Sequence, residues 1–313
     1  MSTRAATVTT ATASKALLGR QLRRDLVGLA FISPWLFGFL AFTFWPMAQS
    51  LWLSFTFYDL LTEPRWIGLE NFQRMAGDAR FLKSVRITLT YVVLAVPFKL
   101  VVALAIAMLL AQKIRGVGIY RVAYYIPSLI GSSVAVAIMW RRLLGGDGPF
   151  NAFLGLFGVQ GREWVAHPDY ALWTLVGLAA WQFGSSMVIF LAGLKQIPAE
   201  LYEASAVDGA NRRQQFWRIT IPMLSPVIFF NLIMQTIVAF QVFTQGFIIT
   251  RGGPLDETLF YSLYLYEKGF QSFEMGYASA MAWVLLVMIA LTTLALFKLA
   301  GRLVYYETDI GKS

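Results

Sequence analysis

The chain is 313 residues long, 58% hydrophobic and 14% charged, with 26 Lys and Arg against 17 Asp and Glu for a formal net charge of +9. A soluble domain carries about 25% charged residues, so this composition excludes a soluble globular protein and describes an integral membrane protein. With no cysteine and a single histidine, His167, it also excludes thiol catalysis, disulfides and Cys/His metal centres.

In chain order, residues 1–25 are rich in Thr, Ala, Ser and Arg and are expected to form a cytoplasmic lead. The apolar run that follows outlasts a signal-peptide core and ends without a small-residue cleavage site, so it is expected to be retained as a span. A helix needs about 20 mostly apolar residues to cross about 30 Å of hydrocarbon. Six segments reach that length: about 26–54, 89–111, 122–144, 172–194, 224–249 and 277–300. They are too long, and alternate too little, for membrane β-strands. The expected fold is all-α, a six-helix transmembrane domain over 26–300 with a cytoplasmic loop at 195–223 and a cytoplasmic tail at 301–313. Pro34 and Pro46 predict kinks in the first span.

Positively charged loops stay in the cytoplasm. With both termini on one side, that side holds fifteen Lys and Arg and the other ten, five of these in the loop between the first two spans. Those five, Arg65, Arg74, Arg80, Lys83 and Arg86, are offset by Asp59, Glu63, Glu70 and Asp78. Both termini are therefore expected to be cytoplasmic. The net positive charge reads as topology plus attraction to anionic lipid, with no nucleic-acid partner. His167 reads as a solvated loop residue on the outer side. The Gly-rich pieces at Gly145 to Gly148 and at Gly252-Gly253 lack the Lys-Ser/Thr of a phosphate loop, so the chain holds no nucleotide by that route.

Between the fourth and fifth expected spans lies a polar island. Ile197-Pro198-Ala199-Glu200 starts a helix well, since Pro suits the first helical position and Glu in the first turn complements the positive helix end. Gly209 stops it about ten residues on, after about 15 Å of rise. Asn211 suits the N-cap of a second helical stretch toward Thr220, which gives a helix-turn-helix against the membrane surface. A carboxylate at a helix C-terminus opposes the dipole, so Asp208 is expected to accept backbone N–H groups or pair with Arg212 or Arg213. Glu203, in mid-helix, is either a solvated residue or part of a docking face.

The run Glu203-Ala204-Ser205-Ala206-Val207-Asp208-Gly209-Ala210, followed by Phe216, Ile219, Pro222 and Pro226, resembles the cytoplasmic coupling loop of permease subunits in binding-protein-dependent ABC importers. Its Asp208-Gly209-Ala210 form is similar to the carbohydrate-uptake branch, the maltose and glycerol-phosphate type permeases. Ser205 stands where that motif has Ala, a small-for-small change. Further matches follow in order: Gly68-Leu69-Glu70-Asn71-Phe72, Pro127-Ser128, Gly148-Pro149-Phe150-Asn151, Gly252-Gly253-Pro254 with Thr258, and Tyr277-Ala278-Ser279-Ala280.

The resemblance implies a multi-pass permease of the bacterial cytoplasmic (inner) membrane, with no catalytic or metal-binding residue of its own and with ATP and Mg held in partner subunits. The implied partners are a second, related permease chain, two ATPase subunits and an extracytoplasmic solute-binding protein. Glu203, Ala204, Ser205, Asp208, Gly209, Ala210 and Phe216 are then the ATPase-coupling residues, with Phe216 and Trp217 tying the second helix to the bundle.

Polar side chains are costly at membrane depth and normally face the bundle interior. Asn231, Gln235, Gln241 and Gln245 fall within an arc of about 120° at about 100° per residue. Trp181, Gln182, Ser185 and Ser186 add an aromatic platform and hydrogen-bond partners for a sugar. These residues are the expected substrate path, the alternative being that the amides hold helices together. Lys99 either snorkels or pairs internally. A neutral di- or oligosaccharide is the first expected solute; a polyol, glycerol phosphate or an acidic saccharide stays open because of Arg141-Arg142. An ion-coupled secondary transporter is the alternative class, which calls for Asp, Glu or His inside spans. The long outer loop 56–86 is expected to contact the binding protein.

Overall fold

The structure, a computed structural model, describes residues 26–112 and 115–303. The expected lead at 1–25 and the tail after 303 lie outside the described residues. Helix α1 (Leu26–Leu53) leads into a small hairpin of β1 (Thr56–Phe57) and β2 (Arg65–Trp66), paired antiparallel with Thr56 opposite Trp66. Then come α2 (Glu70–Gly77), α3 (Ala79–Ala111), α4 (Val117–Ile130), α5 (Val134–Leu143) and α6 (Pro149–Gly155). The second half holds α7 (Pro168–Trp181), α8 (Gly184–Leu194), α9 (Ala199–Val207) and α10 (Arg212–Phe240). It closes with α11 (Tyr261–Tyr266) and α12 (Met275–Leu303).

Four helices, α1, α3, α10 and α12, are long and apolar enough to cross a membrane, and the count reaches six when each of two bent pairs is taken as one span. Those pairs are α4 with α5, bent by 99°, and α7 with α8, bent by 44°. The sequence predicts one span over each of 122–144 and 172–194 and carries no signal for the break within either. Irregular backbone is tolerated at membrane depth where it is buried in protein or lines a cavity. Here the two breaks are stitched together, because Ser128 Oγ donates to the Gln182 carbonyl (3.0 Å) and accepts from the Ser185 N–H (3.1 Å).

Helix α3 is the centre of the bundle, in contact with α7, α8, α10 and α11. Ala103 and Ala107 are fully buried one turn apart, and small residues let neighbouring helices approach closely. The helix begins ten residues before the expected span, at Ala79 and not 89. Asp78 caps it by accepting from the Arg80 and Phe81 N–H groups. Arg80 and Lys83 in the added turns pair with Asp256 and Glu257, both at 2.9 Å. Hydrophobicity ends where the apolar window ends; the helix goes on because its cations have partners. By contrast α1 has no buried residue in its membrane-length window and meets α12 through Trp45–Leu53.

Helix α10 is a second correction. The sequence predicts a short helix to Thr220 and a separate span over 224–249, whereas one helix runs from Arg212 to Phe240 through Pro222 and Pro226. A proline ring clashes with the carbonyl four residues before it, which for Pro222 is Arg218. The backbone widens into a π-helical turn over Phe216–Thr220 immediately before Pro222, and helices absorb proline by such local adjustment.

Several short motifs prove to be fastenings of loops at the end of the bundle that carries the hairpin. Buried Asn71 donates to the Ser54 and Thr56 carbonyls, both at 2.9 Å. Asn151 donates to the Gly146 and Arg162 carbonyls (2.7 Å each) and accepts from Trp164 Nε1 (2.6 Å). Fully buried Thr258 donates to the Gly253 carbonyl at 2.7 Å. Asp78 Oδ2 accepts from the hydroxyls of Tyr264 (2.6 Å) and Tyr277 (2.8 Å).

Burial opposes the charge on Asp78, but the hydrogen bonds from Tyr264, Tyr277 and the backbone outweigh it and hold the carboxyl below its ordinary range. Burial likewise opposes the charge on Glu274, and Arg74 and Lys268 outweigh it in the same direction. Folded-state values below the unfolded ones mean stabilisation that is complete above the ordinary carboxylate range of about 4 and lost as pH falls through the folded values. Thermal unfolding in detergent should therefore be flat above about pH 5 and fall steeply below about pH 4. Asp78→Asn should flatten that acid limb, and an unchanged limb in the variant would rule the cluster out as its source.

Candidate functional site

The coupling-loop residues fall at the end of the bundle opposite the hairpin. Helix α10, 29 residues long and so about 43 Å at about 1.5 Å per residue, leads from them into the interior of the bundle, where its last residue, Phe240, is fully buried. No residue of α9 is buried; Glu203, Ala204, Ala206 and Asp208 are exposed, as is Val207 at 89%. A nine-residue helix with no buried face is not held by burial of its own side chains; the described structure holds it at its ends and by polar contacts.

Its C-terminus is closed by a Schellman arrangement. The Ala210 N–H donates to the Ser205 carbonyl (2.9 Å) and the Gly209 N–H to the Ala206 carbonyl (3.1 Å), with Gly209 in the left-handed region at φ +81°. Asn211 and Gln214 then cap α10 reciprocally, each side chain bonded to the other's backbone N–H (3.0 and 2.8 Å). The tie between the helices was not foreseen in the sequence. Gln215 Nε2 donates to the Tyr202 carbonyl (3.1 Å) and to Ser205 Oγ (3.0 Å), and the Tyr202 hydroxyl meets Thr220 Oγ1 at 2.9 Å. Ser205, where the motif has Ala, thus gives the second helix a hydroxyl to hold.

Two expectations for this loop are corrected. Trp217, expected with Phe216 to tie the second helix to the bundle, is 60% exposed and packs edge-on against half-buried Phe216 (ring centroids 5.0 Å apart), so Trp217 is not buried against the bundle. Asp208 is exposed, and among the described residues it has no ion pair, with Arg212, Arg213 or any other cation.

The second region is a cavity of about 240 Å³ inside the bundle. At about 30 Å³ per water it has room for about eight molecules. Three interruptions of the helices converge on it: Ser132 between α4 and α5, Gln182 between α7 and α8, and Gln241 just past the end of α10. Gln235, Thr244, Gln245, Tyr91 and Lys99 complete its polar lining. The expected helical arc of four amides does not form, since α10 stops at Phe240, yet three of the four still face one space. Gln182 also donates through Nε2 to the Gly131 carbonyl at 2.8 Å.

Asn231, Trp181 and Ser186 do not line this cavity. Asn231 is fully buried and bonds back to the Val227 carbonyl of its own helix (3.2 Å). Trp181 packs on Trp140, and Ser186 is fully buried in α8. The sequence reading also missed an aromatic run. Phe243, in the cavity wall, stacks on Phe247 at 5.3 Å, and Tyr266 lies against both before stacking on Phe270 at 5.4 Å. Phe247 lines a second, larger cavity of about 1230 Å³, whose charged wall includes Arg141, Arg142, Arg251, Asp147, Glu163 and Glu267. The two i, i+4 aromatic pairs, 243/247 and 266/270, were the available signal.

The description "Binding-protein-dependent transport system inner membrane component" matches residues 75–304. The chain is 56% identical to the probable ABC transporter permease protein YesP of Bacillus subtilis over 294 residues, 92% of this chain and 95% of that one. It is 32% identical to the arabinooligosaccharides transport system permease protein AraP of Halalkalibacterium halodurans, over 89% of each. Its fold is similar to a chain of a bacterial ABC transporter involved in the import of the acidic polysaccharide alginate. That likeness has a TM-score of 0.79 and 23% identity, and covers 92% of this chain and 99% of that one.

Proposed function

Because the chain belongs to the binding-protein-dependent transport system inner membrane components, multi-pass proteins of the inner membrane, we propose that it forms one half of the pore of a sugar ABC importer. In this reading it crosses the membrane six times with both termini in the cytoplasm, the topology that the distribution of Lys and Arg favours. Helix α9 docks in a groove of an ATPase subunit through Glu203, Ala204, Asp208 and Gly209. A second, related permease chain completes the pore, and an extracytoplasmic binding protein delivers an oligosaccharide.

The observation that carries the reading is α9 itself. It is an exposed helix with a fixed end, bonded to the foot of a helix long enough to cross the membrane. A displacement of α9 therefore passes to α10 as a rigid element, and α10 ends in the cavity wall at Gln235 and Gln241. Closure of the ATPases would bias the bundle between two arrangements of that cavity, the population shift that alternating access requires. The amides supply hydrogen-bond partners for sugar hydroxyls, and Phe243 and Phe247 offer faces for the apolar side of a ring.

The test is reconstitution of the chain with its co-purifying subunits in liposomes. ATP hydrolysis should rise when a loaded binding protein is supplied, and labelled sugar should enter only with ATP inside the compartment that the ATPases face. Uptake that continues without ATPase subunits, driven by an ion gradient, would overturn the proposal in favour of a secondary carrier.

A further inference from the structure

Lys99 lies twenty residues into α3, counting from Ala79, or about 30 Å from its start at about 1.5 Å per residue. Allowing for the ten residues by which α3 outruns its apolar window, that is the middle of the membrane. Its side chain faces the cavity that Gln182, Gln235, Gln241 and Gln245 line, and no carboxylate is among the lining residues. Among the described residues Lys99 has no ion pair. A lone ammonium at this depth is expensive and is retained where it faces water or an opposite charge.

We propose that Lys99 is a specificity-determining residue that receives the negative group of an anionic saccharide, a uronic-acid carboxylate or a sugar phosphate, as the solute passes the cavity. The proposal rests on the importer reading above and replaces the expectation of a neutral solute. The amides and the stacked Phe243 and Phe247 suit the rest of such a molecule, its hydroxyls and ring faces, while neither supplies charge. Within the cavity wall the counter-charge for Lys99 is absent, so the solute brings it. An ammonium is a point charge with three donors and accepts either carboxylate or phosphate, with less geometric demand than a guanidinium. Lys99 touches the solute in transit and leaves the docking of α9 unaltered.

The test uses the whole reconstituted complex with its binding protein. The probes are glucuronate, galacturonate and mannuronate trisaccharides, each paired with its carboxyl-reduced neutral form, and a hexose phosphate. Wild type should take up at least one anionic probe and discriminate against the matched neutral one. Lys99→Met should reduce anionic uptake at least tenfold while the assembled complex takes up the matched neutral probe no less than wild type does, and Lys99→Arg should restore most of the loss. Uptake of the trisaccharide, of the phosphate, or of both tells which anion is the natural group. Three results would overturn the proposal: wild type that moves only neutral probes; Lys99→Met that carries the anion at the wild-type rate; or an assembled Lys99→Met complex that loses anionic and neutral uptake alike, the mark of a cation paired to the second permease. Absence of any ATP-dependent uptake in wild type would strike the importer reading itself, before charge enters.

Discussion

Gly209→Val should leave an inserted, assembled complex that hydrolyses ATP and imports at most about a tenth of the wild-type amount of sugar per ATP. Gly209 has φ +81°, and a Cβ added there would meet nothing within 4 Å, so the substitution costs conformation and not space. Left-handed backbone costs an ordinary L-residue about 1–2 kcal/mol, and a β-branched one more. That is enough to open the Schellman closure most of the time and let α9 swing away from the line set by the Ser205–Gln215 bond. About 1.4 kcal/mol corresponds to a factor of ten. Gly209→Ala, without the β-branch and so at the low end of that range, about 1 kcal/mol, should fall between the variant and wild type. The measurement is uptake per ATP hydrolysed at equal amounts of assembled complex. A Gly209→Val complex with wild-type stoichiometry would show that the end of α9 has no part in coupling.

A large loss of stability is expected at Gly184. It opens α8 at the break, and a Cβ there would lie 2.7 Å from the Tyr124 carbonyl oxygen, 2.8 Å from Tyr125 Cα and 2.8 Å from Ser128 Oγ. Two of these are backbone atoms, so relief requires α4 and α8 to part, and with them the Ser128 bonds to Gln182 and Ser185. Overpacking costs about 1–3 kcal/mol, and each bond lost adds about 1 kcal/mol. Gly184→Leu should therefore be destabilised by about 3 kcal/mol or more and accumulate poorly in the membrane. Gly177→Leu is the control, since a Cβ at Gly177 meets nothing within 4 Å; it should stay within about 0.5 kcal/mol of wild type. Equal thermal stability of the two variants would show that the close approach at Gly184 is not needed.

The membrane class and the local grammar of the coupling loop were legible in the residues. Pro198 and Gly209 act through their own backbone and Asn211 through a side-chain bond to a residue three positions on, so the start, the stop and the next cap of the helices lie where the sequence puts them. What depended on distant partners was not legible. The early start of α3 rests on Asp256 and Glu257, more than 170 positions away in the chain. The bends at Gly131–Ser133 and at Gln182 are held by bonds between them, from Ser128 to the Gln182 carbonyl and from Gln182 to the Gly131 carbonyl, whereas an apolar window records only that a segment is greasy. The amide set shows the same limit. Periodicity placed Asn231 with Gln235, Gln241 and Gln245, but Asn231 bonds back to its own helix, Gln241 and Gln245 lie past the end of α10, and α3 brings Lys99 and Tyr91 to the same cavity.

The chain contains no cysteine, so Glu203→Cys gives a single reactive thiol on the exposed face of α9 without any background to remove. The most direct test of the account is to crosslink that thiol, with a short bifunctional reagent, in the complex purified with its co-purifying subunits. The account predicts one crosslinked band that contains this chain and an ATPase subunit, with a yield that changes when ATP is bound. The same variant crosslinked to another protein, or giving no ATPase band while the ATPase is present in the complex, would contradict the assignment of α9 as the site where hydrolysis is felt by the pore.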